Sequence, residues 1–266
     1  MNIFEEKMVE ILLDLAQNHG AVGLKAEFED EGTDFSEAMR LKELGLCSGL
    51  DITIKIGGCC AVKDIQDAKI IGAGTLVAPM IESSYAAKKY IEAYRSVLKN
   101  DEIESMKFYI NIETKNSCDN LDEILKISSA DIDGIVIGRT DLTGSLGMSK
   151  DCVNSEIIYD YTSMISDKVK QQNKEVIVGG GVTEMSVPFF RKISSDLMDK
   201  FETRKVIFNY NDEFSDENIS AGIMKAIQFE IMWLKNKSRC YNKIYDNDIR
   251  RIKSLEERYR NMNAYV

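Results

Sequence analysis

Two neighbouring stretches decide how this chain folds: Lys107-Phe-Tyr-Ile-Asn-Ile-Glu-Thr114, and Asp133-Gly-Ile-Val-Ile-Gly-Arg-Thr-Asp-Leu-Thr-Gly-Ser-Leu-Gly147. In each, a short apolar run, Phe108 to Ile112 and Gly134 to Gly138, ends on polar and charged residues. The runs are too short for helices and rich in β-branched residues, so they read as strands. Between them Leu121 to Ile127 reads as an amphipathic helix. Strand, helix and strand in this order imply parallel strands with helices packed outside.

The same alternation extends in both directions. Towards the N-terminus the strands are Val22 to Glu27, Ile52 to Ile56 and Thr75 to Pro79. The helices Asp34 to Leu46, Ala61 to Ile71 and Ser84 to Leu98 follow them in turn. Towards the C-terminus, Asn154 to Gln172 reads as a helix and Val176 to Gly179 as a strand. Glu184 to Ile193 is then a helix, Lys205 to Asn209 a strand and Asp216 to Leu234 a helix. A first helix spans Ile3 to Gln17 and a last charged one runs roughly from Tyr245 to Tyr259. A doubly wound sheet and a closed (β/α) barrel of the TIM type both fit. Seven strands are evident, and the N-terminal helix stands where an eighth would be. The chain reads as one α/β-barrel domain, 1–266, with a C-terminal helical extension over 219–262. The apolar stripe of that extension packs on the barrel or also against a second subunit.

The bulk composition narrows the function. Net charge is −10 over 266 residues. Such a surface repels phosphate backbones and anionic lipid, which argues against nucleic acid or a membrane as partner. No apolar run reaches the ~18 residues of a membrane span. Six scattered cysteines without a Cys-x-x-Cys pair read as reduced thiols, and the N-terminus does not look like a targeting sequence; together these imply a cytoplasmic protein. The single histidine, His19, ends the first helix and reads as structural or solvated, not catalytic.

In α/β folds of this kind chemistry gathers at the C-terminal ends of the strands. There the sequence offers Lys25, Glu27, Glu29 and Asp30, then Lys55, Glu82, Asn111 and Glu113. Gly138, Arg139, Thr140, Asp141, the triplet Gly179-Gly180-Gly181, and Asn209 to Asn211 complete the set. Carboxylates converging on one mouth repel unless neutralised, and a hard divalent cation such as Mg²⁺ does this while keeping water for substrate. Lys55 and Arg139 would suit an anionic substrate. The three glycines read as a tight turn.

These residues carry a family resemblance. Ile110-Asn-Ile-Glu-Thr, Asn120-Leu-Asp-Glu-Ile-Leu, the stretch Asp133 to Gly147 and the run Val77-Ala-Pro-Met-Ile-Glu-Ser83 resemble the HpcH/HpaI aldolase and citrate lyase β-subunit family. The similarity extends over roughly Val22 to Asn211. It implies a pyruvate/phosphoenolpyruvate-type barrel in which Glu113 and Asp141 bind Mg²⁺ or Mn²⁺. It further implies a metal that holds a 2-oxo acid and stabilises an enolate as a carbon–carbon bond breaks or forms.

The chain departs from that pattern at three places. Lys55 stands where the family has an arginine, which keeps the charge without the bidentate fork. Glu27-Phe28 stands where the aldolase branch has Glu-His, so the usual base is missing. Arg139 stands where many members have proline. Lys55, Glu27 and Arg139 are therefore the candidate catalytic residues. Lys55, Arg139, Glu82, Gly138 and Thr140 are the candidate substrate contacts. For Glu27 and Glu29 a replacement base and a solvated carboxylate both fit, and Glu82 reads as a brace or a catalytic group. Arg139 reads as a substrate clamp or a salt-bridge partner. The expected activity is a metal-dependent lyase or aldolase on a 2-oxo acid, in a homo-oligomer. The other reading is a repurposed barrel that binds a carboxylated or phosphorylated metabolite, or a noncatalytic partner subunit.

Overall fold

The structure is a computed structural model that describes residues 1–263. Eight strands close into a barrel in chain order: β1 (Ala21–Glu27), β2 (Asp51–Lys55), β3 (Thr75–Ala78), β4 (Lys107–Ile112), β5 (Gly134–Gly138), β6 (Glu175–Gly179), β7 (Lys200–Glu202) and β8 (Val206–Asn209). The helices are α1 (Ile3–Asn18), α2 (Phe35–Ser48), α3 (Val62–Ile71), α4 (Ser84–Val97), α5 (Asn100–Ser105), α6 (Lys115–Asp119), α7 (Leu121–Ser128), α8 (Arg139–Ser145), α9 (Glu156–Lys170), α10 (Val187–Ile193) and α11 (Asp216–Asn263).

The local signals explain the boundaries. Asp34 caps α2 by accepting the Glu37 N–H at 2.8 Å, and Gly49, at φ 71°, ends it in the left-handed conformation that glycine adopts without strain. Along the strands the outward residues are apolar and buried under the helices, among them Ile52, Ile54, Ile135, Ile137, Val176 and Val178. Of the inward residues, Val77, Tyr109, Val136 and Ile177 form a separate buried apolar layer across the barrel. Above that layer the inward residues are polar.

The eighth strand corrects the sequence reading. Strands β1 to β7 pair in parallel, but β8 is antiparallel to both β7 and β1. What reads in sequence as the seventh strand is the eighth. The true seventh, Lys200–Glu202, is only 3 residues long and leaves no periodic pattern. The link Thr203–Lys205 is too short for a crossover, so the chain turns back as a hairpin in which Thr203 N–H donates to Val206 O at 2.9 Å. Phe201 and Phe208 stack across the hairpin with ring centroids 4.8 Å apart, and Phe190 stacks on Phe201 from outside at 4.9 Å. As a result Asn209 to Asn211 lie at the opposite end of the barrel from the expected mouth. There the Asn209 N–H donates to Gly20 O at 2.9 Å.

The C-terminal helices also differ from expectation. One helix of 48 residues replaces the two read from the sequence, because the polar run between them contains neither Pro nor Gly to break it. Its first part buries Ile219, Ile223, Ala226, Phe229 and Trp233. From Ser238 to Glu257 its residues are almost all exposed.

Candidate active site at the barrel mouth

The parallel strands β1 to β7 aim their C-terminal ends at one mouth, where a cavity of about 230 Å³ is lined by Lys25, Glu27, Lys55, Asn111, Glu113, Gly138, Thr140 and Asp141. Lys150, Gly180, Gly181, Glu202, Thr203 and Arg204 close its other side. A second cavity, about 440 Å³, opens at the far end of the barrel. A larger hollow of about 840 Å³ lies where α11 leaves the barrel, away from any convergent catalytic groups.

Glu113 is 1% exposed and held from two directions. Its Oε1 accepts the Met80 N–H at 2.8 Å, and its Oε2 accepts from Asn111 Nδ2 at 2.8 Å. Met80 donates from φ 51°, a conformation that costs a non-glycine residue about 1 kcal/mol or more. Backbone strain is thus stored at the residue that fixes this carboxylate. Gly138 faces it on the next strand: a Cβ there would lie 2.4 Å from Glu113 Oε2. Burial pushes the Glu113 carboxyl above its ordinary range, against the pull of Lys55 and its two hydrogen bonds; the charge of Asp141 adds to the rise. Asp141 stands exposed on α8, on the rim of the same cavity.

A divalent cation fits this set. Glu113 is buried and hydrogen-bonded only to neutral donors, with the Asp141 charge close enough to be felt. The Oδ1 of Asn111, buried beside them, has no hydrogen-bond partner. Such an orphaned oxygen among carboxylates suits a hard cation. Among the described residues no group of three or more His, Cys, Asp or Glu converges. A cation at Glu113 and Asp141 would therefore keep positions for water and substrate.

Beside this pair lies an alternating charge network. Lys25 Nζ is 2.9 Å from Glu27 and 2.6 Å from Glu202, and Lys55 Nζ reaches Glu27 at 3.4 Å. Burial alone would raise the Glu27 carboxyl, but Lys25 and then Lys55 outweigh it and hold it at about 2. Glu27 is therefore a paired anion and a weak base, not the strong base that a missing histidine would call for. Lys25 is buried too; its two carboxylates overcome the cost of desolvation and keep it protonated.

The other expected residues divide. Lys55, Gly138 and Thr140 line the cavity with the two metal candidates. Arg139 does not reach it. Its side chain is fully buried outside the barrel, where Nε donates to Gly179 O at 3.0 Å and Nη1 to Asn154 Oδ1 at 2.7 Å. The guanidinium sits 4.6 Å from the centre of the Phe189 ring, and its Nη2 has no partner. Among the described residues no carboxylate balances it, and burial lowers its pKa to about 9. It is neither a substrate clamp nor a salt-bridge partner. The alternation of β5 holds the signal: Gly138 faces in, so the next residue faces out.

Glu82 also lies outside the cavity. Its Oε1 accepts from Thr114 Oγ1 at 2.7 Å and its backbone oxygen from Asn120 Nδ2 at 2.9 Å, so it braces the turn after Glu113. Glu29 is exposed and turned toward Gly57. Phe28 is half-buried against the core. Besides Lys150, three residues that sequence reasoning did not select join the site: Glu202, Thr203 and Arg204. They come from the β7–β8 hairpin, whose direction no local pattern reveals. Arg204 holds Asp30 loosely, with Nη1 and Nη2 both 3.3 Å from one carboxylate oxygen.

Known proteins share this fold and part of this sequence. A family model described as HpcH/HpaI aldolase/citrate lyase matches residues 58–178. The 2-keto-3-deoxy-L-rhamnonate aldolase of Escherichia coli strain K12 is 31% identical over 121 residues, an alignment covering 36% of this chain and 42% of that protein. The chain thus spans less than half the length of that curated relative. Among solved structures, an HpcH/HpaI aldolase from Desulfitobacterium hafniense DCB-2 superposes with a TM-score of 0.60 at 12% identity, over 76% of this chain and 83% of that one. An HpcH/HpaI aldolase/citrate lyase family protein from Burkholderia cenocepacia J2315 gives 0.58 at 13% identity, over 88% and 98%. The citrate synthase SbnG gives 0.59 at 14% identity, over 87% and 90%. At these identities the structures speak for the fold, and over residues 58–178, the segment that carries Glu113 and Asp141, this chain is similar to the HpcH/HpaI aldolase/citrate lyase family.

Proposed function

We propose that the chain is a divalent-metal-dependent carbon–carbon lyase or aldolase acting on a 2-oxo acid. The observation that carries this reading is that the buried, doubly anchored Glu113, Asp141 and Asn111 with its orphaned Oδ1 line one polar cavity. Mg²⁺ or Mn²⁺ held there would supply Lewis acidity toward the carboxylate and keto oxygens of the substrate and stabilise an enolate. The protein's own part is positioning and charge. Lys55 faces the cavity from β2 and presents a cation where negative charge develops. Lys25 neutralises Glu27 and Glu202, so that the wall beside Lys55 does not repel an anion. Gly138 keeps a side chain away from Glu113, and Thr140 offers a hydroxyl at the rim. We read the chain as one barrel domain with a helical extension, working in the cytoplasm. Its six free cysteines, and the lack among the described residues of a helix long and apolar enough to cross a membrane, are consistent with that reading.

A second reading rests on Phe28 and Glu27. Phenylalanine replaces the family histidine, and Glu27 is neutralised by two lysines, so the mouth lacks a strong base. A barrel that binds a carboxylated or phosphorylated metabolite without cleaving it would look the same. Deuterium exchange at C3 of pyruvate, followed by NMR with and without Mg²⁺ or Mn²⁺, separates the two. The lyase reading expects metal-dependent exchange that disappears in Glu113→Gln. Metal binding without exchange on any 2-oxo acid tried would favour the binding barrel.

A further inference from the structure

The second half of α11 leaves the barrel as an exposed arm with a regular apolar seam. Ile231, Leu234, Tyr241, Tyr245, Ile252 and Leu255 each leave between 46% and 64% of their surface exposed. Their spacing is that of a heptad: with a at 231, 238, 245 and 252, the d positions are 234, 241, 248 and 255. This seam is offset from the stripe Ile219, Ile223, Ala226, Phe229 and Trp233 that docks α11 on the barrel. One helix therefore carries two apolar faces, and the barrel covers only one of them. Single exposed apolar residues need no explanation, but a periodic row of them marks an interaction surface. Midway along the seam the arm touches the barrel, where Tyr241 OH donates to Glu37 Oε1 at 2.7 Å and the flanking Lys237 Nζ to Glu37 Oε2 at 2.8 Å.

We infer that the seam pairs with the seam of a second copy of this chain, as a parallel, in-register coiled coil. The flanking residues choose this occupant. In a parallel pair each g residue meets the e residue five positions on in the other helix. Here that places Glu230 opposite Lys235, Lys237 opposite Asn242, Ile244 opposite Ile249 and Arg251 opposite Glu256. Two pairs are oppositely charged, one is apolar and none sets like charges together. An unrelated partner gives no reason for a helix to complement itself at this offset. The seam has two polar positions, Ser238 at a and Asp248 at d, and Asp248 would face its own copy. A like-charged pair in the seam weakens the coil and fixes its register, as a polar core position does.

Sedimentation velocity on the full chain at micromolar concentration tests the pairing. Wild type should run as an assembly held by this seam. Ile252→Lys combined with Leu255→Lys should run as a monomer whose barrel still folds, read as a retained near-UV circular dichroism spectrum, because both positions are solvent-exposed in the single chain. Asp248→Leu should lower the dissociation constant by about tenfold or more, and Arg251→Glu should raise it by a similar factor. Adding Glu256→Arg to Arg251→Glu should restore it. Orientation is read separately: Ile252→Cys, in a background where the exposed Cys47, Cys60 and Cys240 are replaced by serine, should form a cross-linked dimer under mild oxidation. A monomeric wild type would overturn the inference, as would an assembly that survives the double lysine variant. No cross-link at position 252 would overturn the parallel arrangement.

Discussion

Gly138→Ala isolates the geometry of the proposed metal site. Gly138 has φ −87° and ψ 85°, so alanine meets no left-handed backbone there. The added Cβ, however, would lie 2.4 Å from Glu113 Oε2 and 2.7 Å from Glu113 Cβ. Contacts this short force a shift, and the carboxylate cannot yield freely, being held by Met80 N–H and Asn111 Nδ2. Overpacking of this kind costs about 1–3 kcal/mol of stability. Displacing a ligand by a few tenths of an ångström or losing one of its supporting hydrogen bonds lowers metal affinity about 10- to 100-fold. Isothermal titration with Mn²⁺ and thermal denaturation of the metal-free protein read the two effects separately. Wild-type Mn²⁺ affinity together with an unshifted melting temperature would refute the reasoning, since Glu113 would then be neither packed nor liganding as described.

Glu113→Gln and Asp141→Asn should each abolish Mn²⁺ binding in the same titration; undiminished affinity in both would remove these residues from the site. Lys25→Met should destabilise the fold by about 3–5 kcal/mol in urea unfolding, because it leaves Glu27 and Glu202 buried without their cation. The pH dependence follows in sign. The pKa of Glu27 is depressed from 4.5 to about 2, so its stabilisation is present above its unfolded pKa and is lost as pH falls from near 4.5 toward 2. Acid titrations of stability should show wild type losing in that window what Lys25→Met never had. Arg139→Met should change pyruvate exchange by less than about tenfold, since the side chain does not reach the cavity. Its stability should stay within about 2 kcal/mol of wild type, because an unpaired buried cation is replaced by an apolar chain of similar volume. A loss of exchange as deep as that of Glu113→Gln would put Arg139 back into the chemistry.

Much of this protein is fixed locally and can be read without coordinates. Six apolar runs, each beginning a strand-to-helix step, determine the first six strands of the parallel barrel wall. The spacing of Glu113 and Asp141 just beyond two adjacent strands places both at one mouth, because parallel neighbours end on the same side. Strand alternation even holds the fate of Arg139, since a residue directly after an inward Gly138 faces away. Tertiary structure alone decided the rest. A three-residue strand carries too little pattern to announce itself, and whether Val206–Asn209 runs up or down depends on closing the sheet between β7 and β1. That reversal sends Asn209 to the far end of the barrel and brings Glu202 and Arg204 to the mouth. The role of Glu27 is equally non-local. Nothing in the sequence near it says that Lys25 and Lys55 will reach the same carboxylate, because that juxtaposition exists only once β1 and β2 are paired and water is excluded from between them.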